Sequence, residues 1–148
     1  MRVLIQRVKQ ASVKVDEERV AAIGKGLLLL VAMGKDDAHE DIEFLAGKIP
    51  KIRIFGDDNG KMNLDIKQVN GSILSVSQFT LYADTRKGNR PGFDQSAAPD
   101  TAEKYWLQFN EAVRSNGVEV KEGIFAADME VELVNDGPVT IWLDSKNR

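Results

Sequence analysis

The chain has 148 residues, 43% of them hydrophobic and 29% charged, with a formal net charge of −3 and no cysteine. That balance excludes a disordered chain, a disulfide scaffold and a thiolate metal site, and the length suits a single domain over residues 1–148. The acidic charge also excludes the broad basic surface of a non-specific nucleic-acid binder, so any nucleic-acid contact is expected to be a small patch.

Residues 1–8 read as a strand, and Ser12-Val13-Lys14-Val15 alternates as a second. Arg19-Val20-Ala21-Ala22-Ile23 is a third candidate, closed by Gly24. Residues 27–33 are apolar at every position, which predicts a strand covered on both faces. The run 26–33 falls well short of the roughly 20 residues of a membrane span. Charge also arrives too early at the N-terminus for a secretory core, so a cytoplasmic protein without membrane contact is expected. Asp37 and Glu40 have capping-box spacing and open a helix whose apolar face is Ile42, Leu45, Ala46 and Ile49, with Pro50 near its end. Residues 52–55 predict a short strand and residues 56–60 a turn.

The stretch 72–84 carries the most information. Ile73, Leu74 and Val76 make an apolar strand after the turn pair Asn70-Gly71. Ser75, Ser77, Gln78 and Thr80 then place hydroxyls and an amide where a strand would bury its faces. An unpaired buried polar group costs about 1–3 kcal/mol, so these side chains are either bonded internally or line a polar pocket. The basic loop Thr85-Arg86-Lys87-Gly88-Asn89-Arg90 follows at once. Arg86, Lys87 and Arg90 read either as solvated charges or as a phosphate-binding patch.

Downstream, Pro99-Asp100 starts a second helix, with Glu103 three residues after Asp100 and a buried stripe of Ala102, Trp106, Phe109 and Val113. Asn116-Gly117 ends it. Residues 118–121, 129–134 and 139–143 predict strands, and Asn135-Asp136-Gly137-Pro138 reads first as a hairpin turn. Proline suits a tight two-residue hairpin poorly, and an X–Pro bond is cis in about 5–6% of folded cases. A cis Gly137–Pro138 bond would turn two carbonyls the same way as a rigid acceptor pair. Many strands with two helices predict an α+β fold: a largely antiparallel, curved, barrel-like sheet with both helices packed on it.

Ser77 and Thr80 are candidate nucleophiles with no visible base. His39, the only histidine, sits among Asp36, Asp37, Glu40 and Asp41 and reads as a surface residue. A Ser-His-Asp triad or histidine zinc site is therefore not expected, nor is any cofactor or metal. Hydrolysis would rest on backbone amides, Gln78, Thr80 or a group on the substrate. Phe125 and Met129 read as core residues and Arg7 as an edge-strand charge. The glycines are too scattered for a nucleotide-binding loop.

Ser77-Gln78-Phe79-Thr80-Leu81 and Asn135-Asp136-Gly137-Pro138-Val139-Thr140 resemble the two signatures of the D-aminoacyl-tRNA deacylases. Ile5-Gln6-Arg7-Val8, Lys61-Met62-Asn63-Leu64 and Phe125-Ala126-Ala127-Asp128-Met129 match in order, so the resemblance spans essentially the whole chain. It implies a homodimer that binds the acceptor end of aminoacyl-tRNA and hydrolyses the ester joining a D-amino acid to the terminal adenosine. It also implies that each protomer inserts a cis Gly-Pro motif into its partner's pocket. Carried over, the Gly137 and Pro138 carbonyls face the chiral centre and exclude L-aminoacyl groups, while Arg7 orients that motif. Phe79 and Thr80 sit at the ester, and Phe125 and Met129 line the adenosine side. Glycyl esters, lacking a side chain, pass the filter.

Within this resemblance, Thr80, flanked by Gln78 and Ser77, competes with the 2′-hydroxyl of the tRNA's terminal ribose as the catalytic group. The lack of a base favours the ribose. Two other readings stay open on the residues alone: a non-catalytic module that grips the tRNA end, and an esterase for another small acyl substrate.

Overall fold

The structure is a computed structural model that describes residues 1–148. In chain order the elements are β1 (Arg2–Val15), β2 (Glu18–Ile23), β3 (Gly26–Ala32), α1 (His39–Lys48), β4 (Phe55–Gly56) and β5 (Met62–Leu64). They continue with β6 (Ser72–Ser77), α2 (Pro99–Ser115), β7 (Glu119–Glu122) and β8 (Glu130–Asp144). Short 3₁₀ turns form at Ile49–Lys51 and Phe79–Tyr82. The fold is α+β, with a curved, nearly closed sheet and two helices.

β1 is the spine of the sheet. Its first half pairs antiparallel with β3, its second half with β2, and β8 runs antiparallel along nearly all of it. The two strands expected over residues 1–8 and 12–15 are thus one. Lys9 and Gln10 point to solvent, yet Gln10 and Ala11 still pair with Val134 and Leu133 of β8, so the extended backbone never breaks.

The hairpin expected at residues 135–138 is absent for a related reason. Residues 129–134 and 139–143 lie on the same strand, β8, and both halves pair with β1. The intervening residues bulge outward instead of reversing the chain.

β3, β6 and β7 pair in parallel, which makes the sheet mixed. Parallel neighbours need long crossovers. α1 lies in the crossover from β3 to β6, and α2 in that from β6 to β7. β3 is covered on both faces, as its all-apolar run predicts: Leu27, Leu29 and Val31 join the core beneath the helices. Leu28 joins a second, smaller core with Val8, Val13, Leu74 and Val76, on the side where β2 approaches β6 and β7. The strands also crowd closely at Gly26, where a Cβ would lie 1.8 Å from the Ser72 carbonyl oxygen, so only glycine can start β3. No helix is long and apolar enough to cross a membrane.

Local signals hold in type and shift in position. Residues 52–54 lie outside any strand, and only Phe55 and Gly56 pair, with β5. α1 begins one residue later than the expected Asp37–Glu40 box: the Ala38 N–H donates to Asp41 Oδ2 at 2.8 Å, while Asp37 Oδ2 accepts from the Gly34 N–H at 2.6 Å. α2 starts at Pro99 with Ala98 as its cap, so Glu103 makes no capping bond there. Its stripe Ala102, Trp106, Phe109 and Val113 is buried as its spacing predicts.

Asp41 links α1 to the end of the chain, since the Lys146 ammonium donates to Oδ2 at 3.0 Å. Burial disfavours its ionised form, but the Ala38 N–H, the Ser145 hydroxyl and Lys146 outweigh that and lower its pKa from 3.8 to about 2. Because the folded value lies below the unfolded one, this contribution is present above pH 4 and is lost as pH falls towards 2. It amounts to about 2 kcal/mol. Asp41→Asn should therefore flatten the acid limb of a pH series of urea unfolding curves between pH 4 and 2. An unchanged limb would remove Asp41 from the account.

Candidate active site

Ser77 ends β6, paired with Val31 of β3, and the Gln78 N–H adds a last bond to the Val31 carbonyl at 2.7 Å. The chain then tightens into the 3₁₀ turn. The Leu81 N–H donates to the Gln78 carbonyl at 3.2 Å and the Ala83 N–H to the Thr80 carbonyl at 3.0 Å. Tyr82 is buried and anchors one side of this turn, whereas Phe79 is 55% exposed on the other. Phe79 is held edge-on by Phe93, with ring centroids 4.9 Å apart.

Beside the turn lies a cavity of about 610 Å³, whose 18 lining residues include 13 hydrophobic ones. Ser77, Gln78 and Phe79 form one side and Phe125 and Met129 another, with Trp106 from α2 also lining it. Asp128 is the only charged residue in the lining. The arrangement suits an uncharged, partly aromatic group placed against a small set of polar atoms.

The polar residues on β6 divide between two roles. Ser75 is fully buried, and its hydroxyl accepts the Trp106 indole N–H at 2.9 Å. That bond satisfies a group that would otherwise be costly inside a strand. Ser77 and Gln78 face the cavity. Thr80 is exposed, and its Oγ1 accepts from Gln78 Nε2 at 2.5 Å. An amide donor cannot take a proton, so this contact positions the hydroxyl without activating it. His39 is exposed at the start of α1 and pairs with Glu43 at 3.1 Å. No group of three or more His, Asp or Glu side chains converges as a metal site.

The Gly137-Pro138 segment occupies a different place. Gln6 faces Thr140 and Val8 faces Asn135, so residues 136–139 stand opposite Arg7 alone. This excess of chain is extruded as a bulge, with Gly137 and Pro138 exposed and the bond between them cis. Asn135 Nδ2 donates to the carbonyls of Arg7 and Val139, both at 3.0 Å, and so ties together the two ends of the bulge. Arg7 Nε donates to the Asp136 carbonyl at 3.0 Å and Nη1 to the Ile54 carbonyl at 2.7 Å. Sequence pattern alone does not single out Asn135. Its only signal is an amide, able to donate twice, beside a break in strand alternation.

Arg7, Gly137 and Pro138 line a second recess, of about 520 Å³, which shares no residue with the cavity at Ser77. Ser77, Val31, Val3 and Leu143 lie side by side on four adjacent strands. Three strand spacings make about 14 Å, and Gly137 is several residues further along β8. Within the chain the two motifs do not meet.

The basic loop is pinned by an isolated pairing between Asp84 and Gly92. Arg86 donates to both Asp84 oxygens, at 2.9 and 2.7 Å, and with its own backbone N–H holds that carboxyl well below the usual carboxylate range. The Arg86 charge is therefore already paired. Lys87 and Arg90 extend into solvent.

A curved sheet with a polar strand end beside a mostly apolar cavity is a site for a small, largely uncharged group, and comparison with known proteins supplies the class. The D-Tyr-tRNA(Tyr) deacylase family pattern matches residues 4–144. A "D-aminoacyl-tRNA deacylase" of Bacillus pumilus is 53% identical over 146 residues, 99% of each chain. Another of that name from an Exiguobacterium species is 56% identical over 144 residues, 97% of this chain and 98% of the relative. Among solved structures, one titled "c-Myc DNA Unwinding Element Binding Protein" superposes with a TM-score of 0.91 at 37% identity, covering 97% of this chain and 98% of that one. A "probable eukaryotic D-amino acid tRNA deacylase" shares the fold, with a TM-score of 0.79 at 20% identity over 96% of this chain and 97% of that one. The chain belongs to the D-Tyr-tRNA(Tyr) deacylase family, and it is an ester hydrolase of that family.

The indole bond beneath the cavity is open to test. Trp106→Phe removes the only donor to the Ser75 hydroxyl and should cost about 1–3 kcal/mol in urea unfolding. Adding Ser75→Ala should cost less than its effect alone, because the stranded hydroxyl is gone. Strictly additive effects would show that the bond carries no coupling.

Proposed function

We propose that the protein hydrolyses the ester of D-aminoacyl-tRNA, releasing the free D-amino acid and tRNA, and that it also accepts glycyl-tRNA. The observation that carries this reading is the separation of the two signatures. A cavity flanked by Ser77, Gln78 and Phe79 lacks the Gly137-Pro138 segment, which protrudes elsewhere on the same protomer. A second copy can bring them together. β8 pairs only with β1, and Val134 and Trp142 are exposed on it, 43% and 47% respectively, which supports a homodimer built on this strand. In that dimer the partner's Gly137 and Pro138 carbonyls close the cavity and exclude a side chain of L configuration. Arg7 holds the motif, and Phe125 and Met129 take the terminal adenosine.

Catalysis in this reading belongs to the substrate. Thr80 has only an amide against its hydroxyl, and no imidazole or thiol is near it. The 2′-hydroxyl of the terminal ribose is already adjacent to the ester carbonyl. A 3₁₀ turn leaves its first N–H groups without partners inside the turn, which suits the backbone at Phe79 and Thr80 to receive the developing oxyanion. Lys87 and Arg90 take acceptor-stem phosphates, with Arg86 secondary because Asp84 occupies it. So small a patch fits a cytoplasmic acidic protein that holds only the tRNA end.

Matched D- and L-tyrosyl-tRNA should separate the readings. Rapid loss of the D ester alone is expected. Loss of neither would favour a tRNA-end binding module, and equal loss would favour a general esterase. Thr80→Ala should keep kcat within about tenfold, while a terminal 2′-deoxyadenosine ester should react at least about a hundredfold more slowly. The reverse pattern would return the chemistry to Thr80.

Gly137→Ala places a Cβ 3.1 Å from Arg7 Nη2 and 3.0 Å from the Val139 nitrogen, at a backbone φ of 131°. The segment must shift, and slow hydrolysis of the L ester should appear. Continued full rejection of the L ester would sink the chiral role of this segment.

A further inference from the structure

We propose that Arg2 is a positioning residue for the ester-cleaving turn, clamping Leu81 and Tyr82 so that the backbone at Phe79 and Thr80 is held against the substrate. The proposal rests on the function argued above and assigns a role to a residue outside both signatures.

Arg2 stands on β1 between Ala32 of β3 and Asp144 of β8. Its Nη1 donates to the Leu81 carbonyl at 2.9 Å. Its guanidinium carbon lies 4.3 Å from the centre of the Tyr82 ring and 5.6 Å from that of Trp142. Asp144 Oδ2 accepts from Arg2 Nε at 3.3 Å and fixes the plane of the fork. The side chain is one-third exposed and its partner carboxylate 19% exposed, so the pair is partly shielded from water.

This clamp complements the ladder. At its start the turn is tied to β3 by the Gln78 N–H, and at its end by Arg2. Leu81 has its N–H bonded inside the turn, so its carbonyl is the atom through which an outside group can pull. Between the two ties lie Phe79 and Thr80. Misplacement of a reacting group by about 1 Å can cost a hundredfold in rate, which makes a two-point anchor consequential. Arg2 suits the task better than lysine. It can bond a carbonyl, pair with a carboxylate and stack on an aromatic ring simultaneously, whereas an ammonium does one of these well. Asp144 and Trp142 belong to β8, the strand that carries Gly137 and Pro138, so the same clamp couples the turn to that strand.

The test uses the full chain with D-tyrosyl-tRNA as probe and the variants Arg2→Ala, Arg2→Lys and Asp144→Asn. For Arg2→Ala, kcat should fall between about tenfold and a hundredfold while KM stays within about twofold. Arg2→Lys should recover part of the loss, and Asp144→Asn should show a smaller loss of the same kind. Hydrogen exchange should rise at residues 78–83 and stay unchanged in β3 and α2. Unchanged kcat, or exchange raised throughout the sheet together with a lowered Tm, would overturn the proposal. If the unmodified protein does not cleave the D ester, the proposed function fails, and the exchange at residues 78–83 still decides whether Arg2 clamps the turn.

Discussion

The pairing of β1 with β8 is the constraint on which the rest depends. Both strands are long, and their ladder runs from Arg2 opposite Asp144 to Lys14 opposite Glu130. A ladder of that length sets the register of everything beside it, because β3 and β2 take successive halves of the other edge of β1. It is interrupted on both sides of Val8: at Lys9, which has no partner on β8, and more deeply opposite Arg7, where four residues of β8 have no partners. A bulge inside a long ladder is held from both sides, unlike a loop at its end. Asn135 and Arg7 supply the bonds that the ladder cannot, and Gly137 and Pro138 are thereby presented on a rigid base.

The second organising feature is the parallel half of the sheet. β3 and β6 run in the same direction, so their ends coincide, and the chain leaves β6 at Ser77 beside Val31. The crossovers that parallel pairing demands bring α1 and α2 over this region, and α2 contributes Trp106 to the cavity. Its ring faces the cavity, while its N–H bonds the one buried serine of β6. Ser75 and Ser77, two residues apart, share one face of β6 and are sorted by depth: Ser75 is buried against α2, and Ser77 is at the cavity rim.

Charge is handled sparingly around the site. The cavity lining holds one carboxylate, Arg86 is neutralised by Asp84, and Thr80 meets an amide. In the proposed mechanism, a neutral surround leaves preorganised backbone dipoles and the substrate's own groups as the means of lowering a barrier. That places the demand on geometry, and geometry here is set by hydrogen bonds at both ends of a short turn.

The periodicity of the sequence by itself determined most element types: the two-faced burial of residues 27–33, the stripe of α2 and the α+β character, while the two signatures were legible by resemblance. These depend on side-chain spacing within a few residues, and burial follows spacing directly. Only tertiary structure decided that residues 1–15 form one strand, that residues 135–138 continue β8 without turning it, and that Ser75 belongs to Trp106. The turn reading of Asn135-Asp136-Gly137-Pro138 was locally sound, because those residues favour turns. It lost to the pairing of both flanks with the same distant strand. The roles of Asn135 and Arg2 were likewise invisible in sequence. Their partners lie between four and 128 residues away for Asn135 and 79 or more for Arg2, and only the folded arrangement of strands, bulge and turn brings those atoms together.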